Sequence, residues 1–150
     1  MLETLARAAL SGTAVSLAST IALALAAKAE GRHPVRPTNA TGHWVRGDEA
    51  AASRAFDAKH TLLGFATHEG ASIFWAAIFQ ALRKLGPNRP ASVDAIGVSA
   101  LAAFVDYLVV PKRLTPGWEK VVTPPSIGLA YGVMALALWA TSSPSGKLER

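Results

Sequence analysis

Residues 8–27 read AALSGTAVSLASTIALALAA, twenty positions without a charged side chain. At 1.5 Å per residue a helix over this stretch is about 30 Å long, the thickness of a bilayer's hydrocarbon core. The rival reading is a secretory signal, since Arg7 provides a thin positive flank and Ala27-Lys28-Ala29 an A-x-A cleavage site. Signal cores run to about 7–15 apolar residues, so the longer stretch favours a retained span.

Three more apolar blocks follow outward from this one. The second, about 61–82, is bracketed by Lys59 and by Arg83-Lys84. The third, about 93–110, begins after Pro90 with Ser92 as its expected N-cap, and stops at Pro111-Lys112-Arg113, where proline removes a backbone donor. The fourth, about 124–141, opens with Thr123-Pro124-Pro125, prolines at helix positions that need no internal donor. Thr115-Pro116-Gly117 suits a tight turn, which makes the last two helices neighbours. The expected fold is therefore all-α: one domain over residues 1–150, an integral membrane bundle of four transmembrane helices. The long first loop is expected to hold a short interfacial helix after Asp48, an N-cap with no Gly or Pro following from 49 to 63. A polar tail from Ser142 to Gly146 closes the chain.

Composition agrees with lipid as the solvent. The chain is 51% hydrophobic, and its charges are pushed between the apolar blocks. Its net charge of +5 is spread over every loop, which argues against nucleic acid and for anionic headgroups. Without cysteine there can be no disulfide, thiolate metal site or thiol catalysis. The first and third loops carry nine Lys and Arg against six on the termini and second loop, so the positive-inside rule places those two loops in the cytoplasm. Trp44, Trp118 and Trp139 fit interfacial anchors, while Trp75 sits too deep. Small residues at four-residue spacing, from Ala8 through Gly12 and Ser16 on the first span and at Gly128 and Gly132 on the fourth, would let helix backbones approach closely.

Ionisable groups gather at one depth. Measured from the first- and third-loop side, His68 and Glu69 lie about 11–12 Å into the helices, Tyr131 about 11 Å and Asp106 about 6 Å. His60 and Tyr107 add polar character at the same entrance, whereas the opposite half offers only Gln80. These six residues, His60, His68, Glu69, Asp106, Tyr107 and Tyr131, form a candidate intramembrane polar pocket. Glu69 is about 100° from His68 on a face shared with Leu62 and Phe65, so it is expected either protonated or covered by another helix or subunit.

Three functions are compatible with such a cluster. The leading expectation is that it fixes packing in a structural or accessory subunit of a membrane assembly; the alternatives are a small transporter or proton-conducting protein and, after that, a metal- or haem-binding protein. His60 and His68 stand about 12 Å apart on one helix and cannot grip one ion, so a bis-histidine haem would need His43 or a second subunit. No residue is assigned a catalytic or metal-ligating role, since the chain has no G-x-S-x-G elbow, phosphate loop, H-E-x-x-H or EF-hand loop. Enzymatic activity is not expected, and the cofactor is left unknown. The expected partners are the lipid bilayer and a homo-oligomer or larger membrane complex.

Thr67-His68 early in one span, Phe104-Val105-Asp106 before a proline-ended helix, Leu114-Thr115-Pro116 and a closing span with Trp139 together resemble the YagU-like group of uncharacterised bacterial inner-membrane proteins. The resemblance runs from Gly64 to Trp139. It implies a multi-pass protein of the bacterial inner membrane and assigns no reaction. Asp106 stands where that pattern would carry a histidine.

Overall fold

The computed structural model describes residues 2–142; Met1 and residues 143–150, with most of the polar tail, lie outside the described residues. Helix α1 (Leu2–Ala29) leads into a loop of three short helices, α2 (Arg36–Ala40), α3 (His43–Arg46) and α4 (Glu49–Ala52). Then come α5 (Leu63–Leu85), α6 (Ala91–Phe104) and α7 (Pro124–Ala140). A π turn at Ala58–Leu62 precedes α5 and another at Val105–Val109 extends α6. Three of the long helices, α1 and the two lengthened by π turns, are long and apolar enough to cross a membrane, while α7 is apolar but has 17 residues. The chain is a small all-α membrane-spanning protein.

The long helices close a ring: α1 packs on α5 and α7, and α6 packs on α7 and α5. Phe79, Val98, Met134 and Leu138 fill its centre among Ala76, Ala102 and Ala130. Outside the ring, Leu10, Leu17, Ile21, Leu25, Phe74, Ile96, Leu101, Leu129 and Leu136 point away from the protein. So continuous an apolar surface is rare on a protein in water and needs no cover in lipid.

The small-residue stripes behave differently on the two helices. On α1 the backbone does come close, since a Cβ at Gly12 would lie 2.5 Å from Ile73 Cα. On α7 the expectation is corrected, because a Cβ at Gly128 or Gly132 would meet nothing within 4 Å.

Two helix starts also differ from expectation. The short helix expected after Asp48 is present as α4 with Asp48 at its N-cap position, but Asp48 makes no side-chain cap bond, and after one turn the chain becomes extended at Ser53 (φ −65°, ψ 134°). Buried Asn39 explains the break. Its side-chain amide donates to the carbonyls of Ser53 (3.1 Å) and Ala55 (2.9 Å), which a continuous helix would have used internally, and its carbonyl accepts from Thr61 Oγ1 (2.8 Å). The helix restarts after Asp57, whose Oδ1 accepts the backbone N–H of His60 at 2.8 Å. That bond holds the Asp57 carboxyl below its ordinary value. At α6 the cap position is Pro90 rather than Ser92, with no side-chain cap bond.

Candidate functional site

Polar side chains of α1, α5, α6 and α7 meet at the end of the bundle covered by the first and third loops. The π turn after α6 carries Asp106 and Tyr107; such wide turns change the helical register and recur at functional sites. From α7, the hydroxyl of Tyr131 donates to Asp106 Oδ2 at 2.6 Å. Tyr107 sets its ring edge-on to Tyr131 with centroids 6.3 Å apart, its hydroxyl buried beside Glu119 and Asp106.

The third loop contributes Trp118. Gly117 has φ 82° and ψ −3°, the third-position geometry of the tight turn expected at Thr115-Pro116-Gly117, and a Cβ there would lie 2.6 Å from the Ala40 carbonyl oxygen. The turn folds Trp118 inward, only 5% exposed, so the residue expected as an interfacial anchor is instead a wall of the interior. Its indole meets His68 edge-on at 5.4 Å and Tyr131 at 5.9 Å.

His68 is positioned by α1. Its Nε2 lies 2.8 Å from Ser19 Oγ, and the Ser19 hydroxyl hydrogen is already given to the Val15 carbonyl at 2.7 Å. Nε2–H is therefore the donor, and in a neutral ring Nδ1 is then the acceptor.

These groups border a cavity of about 580 Å³ with largely apolar walls. Ser19, His68, Trp75, Asp106, Trp118 and Tyr131 line it, and Thr41, Trp44, Leu114 and Pro116 cover it from the loop side. The two loops are tied together: Trp44 Nε1–H donates to the Thr115 carbonyl at 2.9 Å, and Lys120 pairs with Asp48, holding that carboxyl below its ordinary value. Exposed lining residues Ala66, Gly70 and Phe74 follow the outer flank of α5.

Of the expected pocket residues, His68, Asp106 and Tyr131 line the cavity, and Tyr107 stands behind Tyr131. His60 does not reach it; its Nδ1 lies 3.0 Å from Asp57 Oδ1 at the start of α5. Glu69 turns to α1, accepting from Thr13 Oγ1 at 2.6 Å, while its Oε2 is buried without a partner. Another helix thus covers Glu69. Trp44 is 38% exposed at the cavity's cover, and Trp139, 54% exposed, lies near the end of α7.

The opposite end of the bundle is more charged than expected. Asp94, 5% exposed, sits between Arg83 (2.9 Å) and Arg89 (3.0 Å). Arg83 read as a mere flank of the second span, yet the first turn of the third span offered it a carboxylate. Gln80 Nε2 donates to Ser11 Oγ at 3.0 Å and joins α5 to α1. Among the described residues, no three or more His, Cys, Asp or Glu side chains are grouped to hold a metal ion.

No family model, curated protein or solved structure matches the chain. What the site can do therefore follows from its own geometry. It has room for a small molecule, aromatic faces to hold an apolar body, and a carboxylate, a hydroxyl and an imidazole to orient a polar end.

Proposed function

We propose that this chain is a four-span protein of the bacterial inner membrane that binds a small, largely apolar molecule with one polar end, as a small carrier would. The observation that carries the reading is the cavity of about 580 Å³ with Asp106, Tyr131 and His68 in its wall. Helix bundles place ligand sites between their helices, and ionisable groups inside a membrane are functional candidates by default. A subunit serving only to pack against partners would be expected to fill such a space, because protein interiors are close-packed. In this reading α7 is the fourth span, the first and third loops face the cytoplasm, and the loops over the cavity separate it from water.

The test uses the full chain in nanodiscs with N-phenyl-1-naphthylamine, a neutral apolar fluorophore excited by energy transfer from tryptophan. Trp75 and Trp118 line the cavity and supply the donors. Saturable transfer is expected in the wild type and loss of its saturable part in Ala71→Phe, which fills the cavity from α5. Equal, non-saturating signals in both would show uptake by lipid alone and end the proposal.

A further inference from the structure

The cavity wall is electrostatically one-sided. Among the described residues, Asp106 is its only carboxylate, and none that lines it is Lys or Arg. Asp106 accepts a hydrogen bond from Tyr131 but takes part in no ion pair among the described residues. The contrast with Asp94 is direct, since that carboxylate, at the other end of the bundle, is matched by two arginines. An ionised carboxylate in apolar surroundings is costly unless it is protonated or a cation joins it. The same cavity is lined by Trp75, Trp118 and Tyr131 and covered by Trp44, and aromatic rings attract cations through their negative faces. Tyr131 donates its hydroxyl to Asp106 and sets its ring beside Trp118, with centroids 5.9 Å apart, so carboxylate and aromatic surface are continuous.

Resting on the ligand-binding reading above, we infer that the cavity selects a lipophilic cation: an amine or onium group against Asp106, with its apolar body held among the aromatic rings. Aromatic cages bind quaternary ammonium groups by attraction between the cation and the ring quadrupoles. The carboxylate adds a Coulomb interaction that a low-dielectric site leaves largely unscreened. His68 stands in the same wall with Nε2 engaged by Ser19, and as a neutral ring it carries no charge to oppose a cation.

The experiment displaces N-phenyl-1-naphthylamine from the full-length protein in nanodiscs with tetraphenylphosphonium and with neutral triphenylphosphine oxide, each corrected for its uptake by empty nanodiscs. The wild type is expected to favour the phosphonium by about tenfold or more, through the Coulomb attraction of a close carboxylate in a partly desolvated site. Asp106→Asn, which keeps the shape and can still accept from Tyr131, is expected to lose the preference, each displacement being scaled to that variant's own fluorophore affinity. Tyr131→Phe, which keeps the carboxylate, is expected to retain the preference. Equal displacement by the two compounds in the wild type, with saturable fluorophore binding intact, overturns the cation selectivity and leaves the pocket standing. A preference that survives Asp106→Asn overturns the assignment to Asp106. Absence of saturable fluorophore binding overturns both proposals together.

Discussion

Tyr131 and Asp106 show how much can depend on one hydrogen bond inside a bundle. Phenylalanine at 131 keeps the packing against Trp118 and Tyr107 but leaves Asp106 without its donor. Removing one partner of a buried bond typically costs about 1–3 kcal/mol, so Tyr131→Phe should unfold at measurably lower denaturant when followed by circular dichroism in detergent. An unchanged midpoint would mean that the carboxyl has found another partner. His68, Asp106 and Tyr131 were legible in the sequence because polar side chains at matching depth on three apolar helices have few places to point. Trp118 was not. It follows a loop glycine whose positive φ turns the indole inward, and the loop's course is set by packing against Ala40 and His43, contacts far away in the chain. Ser19 escaped notice for the opposite reason: in a helix so rich in Ala and Ser, nothing local marks the serine that meets a histidine.

At the level of elements, helix existence was plain and helix contacts were not. The four apolar blocks correspond to α1, α5, α6 with its π turn, and α7, because block length and flanking charge or proline are local properties. The small-residue spacing suggested close approach on two helices, yet only α1 has a backbone against it, which substitution can test. Gly12→Ala would drive its Cβ into Ile73 and should destabilise by about 1–3 kcal/mol, as overpacking does. Gly132→Ala meets open space and should be neutral or stabilising by up to about 1 kcal/mol. Thermal unfolding of the two variants in one detergent compares them, and a smaller loss at Gly12 than at Gly132 would contradict the assigned seam.

The junction of α1 and α7 offers a pH test. Glu30, just beyond α1, accepts Ser126 Oγ–H at 2.6 Å, Thr123 Oγ1–H at 2.7 Å and the Thr123 backbone N–H at 3.1 Å, so it caps the start of α7 from outside. The Ser126 and Thr123 hydroxyls hold its carboxyl below the ordinary value. A carboxyl lowered in the folded state stabilises fully above its unfolded value, and that contribution fades as the pH falls through the folded value. Glu30→Gln should lower the melting temperature at neutral pH and narrow its difference from wild type in acid. A difference independent of pH would show that the charge plays no part.

The whole molecule invites a topology test that the absence of native cysteines makes simple. With four spans, a cysteine introduced by Ser142→Cys shares a side with Asn88→Cys and lies across the membrane from Arg54→Cys. An impermeant maleimide applied to intact cells, then to opened ones, should separate the two groups. Labelling of positions 142 and 54 from one side would leave α7 uncrossed and reduce the spans to three. The arrangement of helices around the cavity could not be read in advance, because it depends on which faces of α1 and α7 meet. The cover over the cavity, tied by Trp44 to Thr115, also bears on how strongly anything needs to bind. In the proposed ligand-binding reading, with loops over the cavity's end and exposed lining along α5, a molecule would reach Asp106 out of hydrocarbon, where greasy compounds are already enriched. The dose that governs occupancy is then the mole fraction in the bilayer. A site with feeble intrinsic grip can stay full at trace aqueous levels, and an apparent affinity measured against the buffer alone would credit the protein with work done by the lipid.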